Sequence, residues 1–148
     1  MFRVNKVMIA VDGSKMADKV LLRGRAVAEQ FGCDVIILTV VKKLQMINYY
    51  TGTDLSDKIN QEFEASAEKT MEQAVRLFQG FEGGLETKIA TGDPAEEILQ
   101  ATETEKPDLL VMGSRGLSGF ERVMIGSVSL KVLHHVKCDM MIVRNESV

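Results

Sequence analysis

The chain has 148 residues, of which 45% are apolar and 26% charged, with a net charge of −3. That length suits one domain with its own core, spanning residues 1–148, and needs no disulfide or metal staple. The slight acidic balance, the two prolines and the lack of any low-complexity tract exclude a disordered chain and predict neither a nucleic-acid nor a membrane partner.

Residues 6–11 (KVMIAV) form an apolar run of strand length. Residues 14–31 then carry Ala17, Val20, Leu21, Gly24, Val27, Ala28 and Phe31 on one helical face, with Ser14 expected as N-cap and Gly32 as the closing glycine. Residues 34–41 (DVIILTVV) are β-branched and nearly all apolar, as in a strand covered on both faces. Residues 42–55 are polar and irregular and include Tyr49 and Tyr50. Ile59, Phe63, Ala67, Met71, Ala74 and Phe78 recur at helical spacing and predict a long helix over 57–79. Gly83-Gly84 makes a turn, and residues 85–90 (LETKIA) alternate in polarity, as an edge strand does.

The next helix, over 93–104, has explicit start chemistry. Asp93 is the N-cap, Pro94 the first helical residue, and Glu96 completes a capping-box-like pair. Residues 108–112 (DLLVM) are a buried strand, 113–126 a glycine-rich loop, 127–136 a helix and 139–144 a final strand. Strands alternating with helices predict an α/β fold, an open parallel sheet with helices on both faces and right-handed crossovers.

No apolar run approaches the roughly 18–20 residues needed to span a bilayer. The first strand is too short and too poorly flanked for a secretory signal. Cys33 and Cys138 are the only cysteines and form no CxxC pair, and His134 and His135 are adjacent, so no zinc-ligand spacing exists. A reduced, cytoplasmic protein is the expectation, with both thiols buried as small apolar groups.

Doubly wound sheets bind ligands beyond the C-terminal strand ends, where the strand order switches. The first and fourth strands are the expected pair. Val11-Asp12-Gly13-Ser14 follows the first; Met112-Gly113-Ser114-Arg115-Gly116 follows the fourth. Glycines there let backbone N–H groups approach a ligand, and Gly126-Ser127 opens a helix whose free N–H groups suit an anion. Ser114, Ser127 and Ser129 are candidate hydroxyl donors, and Arg115 and Arg122 candidate charges. There is no GxxxxGK[ST] loop and no GxG, which sets aside the common mononucleotide and dinucleotide loops. A receiver domain would need an aspartate ending the third strand, where Ala90-Thr91-Gly92 stands.

Gly113, two residues, Gly116, nine residues, Gly126 and Ser127 make the spacing G-x2-G-x9-G-[ST]. With the opening VDGS and the tail GSVSLKVLHHVKCDMMIVR, the whole chain resembles the universal stress protein family. The resemblance implies a five-stranded parallel sheet of order 3-2-1-4-5, the fold of adenine nucleotide alpha hydrolase-like proteins, and a homodimer. It implies an ATP site, with ADP or AMP as alternatives and Mg²⁺ accompanying the triphosphate. Ala10, Val11 and Asp12 would line the adenosine side, and Val40 would touch adenine. Met112, Gly113, Arg115 and Gly116 would surround ribose and phosphates. Gly126, Ser127, Val128 and Ser129 would hold phosphates through N–H and hydroxyl groups. One departure stands out: Cys138-Asp139 occupies a place where many relatives have a residue followed by proline.

The expected function is a cytoplasmic ATP-binding stress-response regulator, whose occupied glycine loop alters the surface offered to a protein partner. The alternatives are a slow Mg²⁺-dependent ATPase and a nucleotide-free interaction module. Phosphoryl transfer needs a positioned water and charge stabilisation, and no residue stands out as the base. His134 and His135 fall about two turns into the last helix.

Overall fold

A computed structural model describes residues 3–43, 56–114 and 125–144. Five parallel strands run in the order β3-β2-β1-β4-β5. They are β1 (Lys6–Ala10), β2 (Asp34–Val41), β3 (Leu85–Thr91), β4 (Leu109–Gly113) and β5 (Asp139–Val143). The crossovers carry α1 (Ala17–Phe31), α2 (Ser56–Leu77), α3 (Pro94–Glu105) and α4 (Ser127–His135). The expected α/β architecture and strand order are both observed.

Strand alternation divides the core into two layers. Val7 and Ile9 of β1 join Val35, Ile37 and Val111 under α1 and α2, with Val20, Leu21, Ala28, Met71, Ala74 and Phe78. Met8 and Ala10 join Ile36, Leu38, Leu110 and Met112 on the other side, under Ala95, Ile98 and Ala101 of α3 and Val132 of α4. Central strands buried on both faces read as continuous apolar runs, which is why DVIILTVV lacks alternation. β3 and β5 each pair with one neighbour and form the two edges of the described sheet. In the LETKIAT segment Glu86, Thr87, Ile89 and Thr91 are exposed and no residue is fully buried.

Local chemistry sets the ends of the elements. Gly32 is left-handed at φ 63°, and its N–H reaches Ala28 O and Glu29 O to close α1. Asp93 accepts from Glu96 N at 3.0 Å, capping α3 as expected. The start of α1 differs from expectation. The N-cap position falls to Met16, with no side-chain cap, rather than to Ser14. The cause is upstream: Asp12 Oδ1 accepts from Ser14 N at 2.9 Å, an Asx-type turn that holds Gly13 and Ser14 outside the helix. At the opposite end of the sheet, Asp108 Oδ2 accepts from Asn5 N and Lys6 N at 2.7 and 3.0 Å, tying β1 to β4.

Candidate functional site

The site is built on the C-terminal crest of the sheet. β1 ends at Ala10, and Val11 N still donates to Leu38 O of β2 at 2.9 Å. The chain then turns sharply through Asp12. β2 ends at Val41, whose carbonyl accepts from Gly92 N at 2.9 Å, so the start of α3 is moored beside it. Val40 lies half-buried on the α3/α4 side, packed with Ala90 and Val128 against that core layer. Met112 and Gly113 end β4 next to β1, with Ala10 in register with Met112.

Past β4 the backbone is held by short, specific bonds. Ser114 N donates to Val143 O at 2.8 Å, and Ser114 O accepts from Gly126 N at 2.6 Å. Ser129 Oγ donates to Gly113 O at 2.8 Å. Together they clamp the start of α4 onto the end of β4, across the twelve positions from 114 to 126. Gly126 is the N-cap, extended at φ −63° and ψ 160°, and adds no side-chain cap. By helix geometry the N–H groups of Ser127, Val128 and Ser129 have no intrahelical acceptor. They form the positive end of the helix dipole, which favours a bound anion.

These elements enclose a cavity of about 410 Å³. Ala10, Val11, Asp12, Val40, Met112, Gly113, Gly126, Ser127, Val128 and Ser129 all line it, so ten of the sequence-derived candidates converge on one space. Two hydroxyls are engaged differently from expectation. Ser114 is 5% exposed and absent from the described lining, with its Oγ 3.9 Å from Met16 Sδ. It lies just past β4, where strand alternation no longer sets side-chain direction. Ser129 lines the cavity, but its single hydroxyl hydrogen goes to Gly113 O. It offers an anion its N–H and not its hydroxyl proton. Arg115 and Gly116, with Arg122, Tyr49 and Tyr50, lie outside the described residues.

Several lining residues were not singled out from the sequence. Thr39, Pro94, Ile98, Phe63, Ser66 and Thr70 all reach the cavity. Phe63 and Ala67 were legible as one apolar stripe of α2. That this stripe overhangs the crest was not legible, since it follows from how α2 packs on β2. Asp12 is the one carboxylate and Lys42 the one cation among the described lining residues. His134 and His135 are exposed at the far end of α4, where His135 Nδ1 lies 2.8 Å from Lys131 O. Among the described residues no group of three or more His, Cys, Asp or Glu side chains is gathered for a metal. Burial raises the pKa of both thiols, Cys33 and Cys138, as expected for packing groups. Cys138 is only partly buried, less than the sequence reading supposed.

The sequence model described as the universal stress protein family matches residues 3–144. The chain belongs to the universal stress protein family. Among its relatives, universal stress protein YxiE of Bacillus subtilis is 34% identical over 148 residues, covering 95% of this chain and 99% of that protein. The universal stress protein UspA from Lactobacillus plantarum superposes with a TM-score of 0.80 at 23% identity, covering 97% and 100% of the two chains. A universal stress protein family protein from Arabidopsis thaliana, solved with AMP bound, gives a TM-score of 0.67 at 26% identity, covering 97% and 93%. The glycine spacing at 113, 116 and 126 therefore sits in a universal stress protein fold, between the fourth strand and fourth helix. No helix among the described residues is long and apolar enough to cross a membrane.

Proposed function

We propose that this universal stress protein is a single-domain, cytoplasmic adenine-nucleotide switch, binding ATP, or ADP or AMP, on the crest formed by β1, β2 and β4. The observation that carries the reading is the convergence of Ala10–Asp12, Val40, Met112–Gly113 and the open N-terminus of α4 on one cavity. The cavity lies within the few-hundred-Å³ range of small-ligand sites. Its apolar part, from Ala10, Val40, Met112 and Ile98, suits a flat base. Asp12 suits ribose hydroxyls, and the N–H groups of Ser127 to Ser129 suit phosphates. AMP bound to the Arabidopsis relative supports the same ligand class. Among the described residues no metal cage stands ready, so Mg²⁺ would arrive with the triphosphate and take its ligands mainly from phosphate oxygens. The family resemblance assigns Arg115 and Gly116, which lie outside the described residues, to the ribose–phosphate part of the site.

Binding, rather than efficient turnover, fits the lining better. Its only described carboxylate, Asp12, lies at the β1 end, and neither histidine lines it. The switch would act through the loop whose two ends are clamped by Ser114 and Ser129. β5, an edge strand with Met140, Met141 and Ile142 half-buried, supports a homodimer through that edge. The test is thermal unfolding of nucleotide-stripped protein titrated with ATP, ADP and AMP, with and without Mg²⁺. Ligand at about 100 times its Kd adds about 2.7 kcal/mol. That should raise Tm by about 5–10 °C. A flat titration with all three nucleotides refutes the reading. Mg²⁺-dependent turnover at ordinary enzyme rates, abolished by Asp12→Ala, would replace the switch with an ATPase.

A further inference from the structure

The cavity is lined from both faces of the sheet. Ala10, Val40, Met112 and Val128 belong to the α3/α4 side, where the base and phosphates are assigned. Val11, Met16 and Val20 belong to the α1/α2 side. Phe63 and Ala67 of α2 line that second lobe, with Ser66 and Thr70 of the same helix beside them.

One group in it is out of place. Thr39 stands on β2 two residues after Ile37, on the α1/α2 side, and is 2% exposed. Its backbone is paired in the sheet opposite Ile89. Its hydroxyl has no hydrogen-bond partner among the described residues. Thr70, across the lobe, spends its own hydroxyl on Ser66 O at 3.0 Å. A buried hydroxyl without a partner is destabilising, and such groups are rare enough to need a reason. A valine would fill the same shape on a strand without that cost.

We propose that this second lobe is a separate binding site, which takes a small apolar molecule carrying one hydrogen-bonding atom. The apolar body contacts Met16, Val20, Phe63 and Ala67, and the polar atom pairs with Thr39 Oγ1. The site is filled beside the nucleotide and does not depend on it.

The two lobes each contain a methionine, which makes the test direct. Protein labelled with ¹³C at the methionine methyls is titrated with phenol, with toluene and with AMP, the Met16 and Met112 signals being assigned by Met16→Leu and Met112→Leu. Phenol is expected to shift Met16 and leave Met112 in place, with AMP present or absent. AMP is expected to shift Met112, so failure of the nucleotide reading is scored separately. Phenol should bind about three- to tenfold more tightly than toluene, the worth of one hydrogen bond. In Thr39→Val that preference should vanish. The ligand-free Thr39→Val protein should also melt about 2–12 °C higher, because a buried hydroxyl with no partner among the described residues has gone. No Met16 shift at saturating phenol or toluene overturns the proposal. So does phenol displaced by AMP, or a Thr39→Val protein that melts no higher than the parent.

Discussion

Ser129→Ala separates two roles for one hydroxyl. In the structure Ser129 is 4% exposed and donates to Gly113 O at 2.8 Å, bridging the first turn of α4 to the last residue of β4. Removing Oγ leaves that carbonyl without this donor. The expected cost is about 1–3 kcal/mol. Alanine recovers about 0.5 kcal/mol through better helix propensity, which is smaller, so the clamp dominates. Nucleotide-free Ser129→Ala should therefore lose about 1–2 kcal/mol in urea unfolding, with an unchanged slope. Its Tm should fall by about 2–8 °C. Ser129→Thr keeps the hydroxyl and should restore most of the loss. Affinity for phosphate-bearing nucleotides should fall in parallel, because the N–H groups of Ser127 to Ser129 are aimed by the same clamp. A Ser129→Ala protein with full ligand-free stability but weakened nucleotide binding would refute the argument. The hydroxyl would then serve the ligand directly.

Three further outcomes test the frame that holds the site. A Cβ at Gly24 would lie 2.7 Å from Ile9 Cγ1 and closer still to Cδ1, with Ile9 fully buried. Gly24→Ala gains about 1 kcal/mol of helix propensity but meets about 1–3 kcal/mol of overpacking. It should destabilise on balance, and Ile9→Val, which deletes Cδ1, should cost less in its presence than alone; strictly additive losses in a double-mutant cycle would argue against the contact. Asp93→Ala removes the α3 cap bonded to Glu96 N and should cost about 0.5–2 kcal/mol by urea unfolding, while Asp93→Asn should cost little. Glu105 is held below the usual carboxylate range by its hydrogen bond and ion pair with Lys6 at 2.9 Å. Because its folded pKa is the lower one, the stabilisation is present above the unfolded value, about 4.3, and is lost as pH falls through the folded value. The stability gap between the parent and Glu105→Gln should be visible at neutral pH and close on acidification; a gap that widens in acid would reverse the sign.

The local parts of this molecule were legible from residues close together in the chain. Short apolar runs, the alternation of β3 and helical spacing located the nine elements of the described residues, with β2 exact to the residue and the others shifted by a few residues at most. Asp93-Pro94 and Gly32 marked helix ends because their effects act within one turn. Ser14 was misread for the same kind of reason. Two short-range hydrogen bonds compete there, and the turn accepting from Ser14 N prevailed over a cap.

By itself the sequence determined which segments are strands and helices, which faces are apolar, and where a glycine-rich segment follows β4. These depend on contacts a few residues apart. Only the tertiary structure decided what gathers around that site. Met16 and Ser114 meet across 98 positions of chain, and Ser129 reaches back 16 to Gly113. The overhang of α2, the engagement of the Ser114 and Ser129 hydroxyls and a Thr39 hydroxyl with no partner among the described residues all arise from strand register and helix packing. Periodicity reports that a side chain is buried, but a buried side chain's neighbours are set by which elements the sheet order brings together.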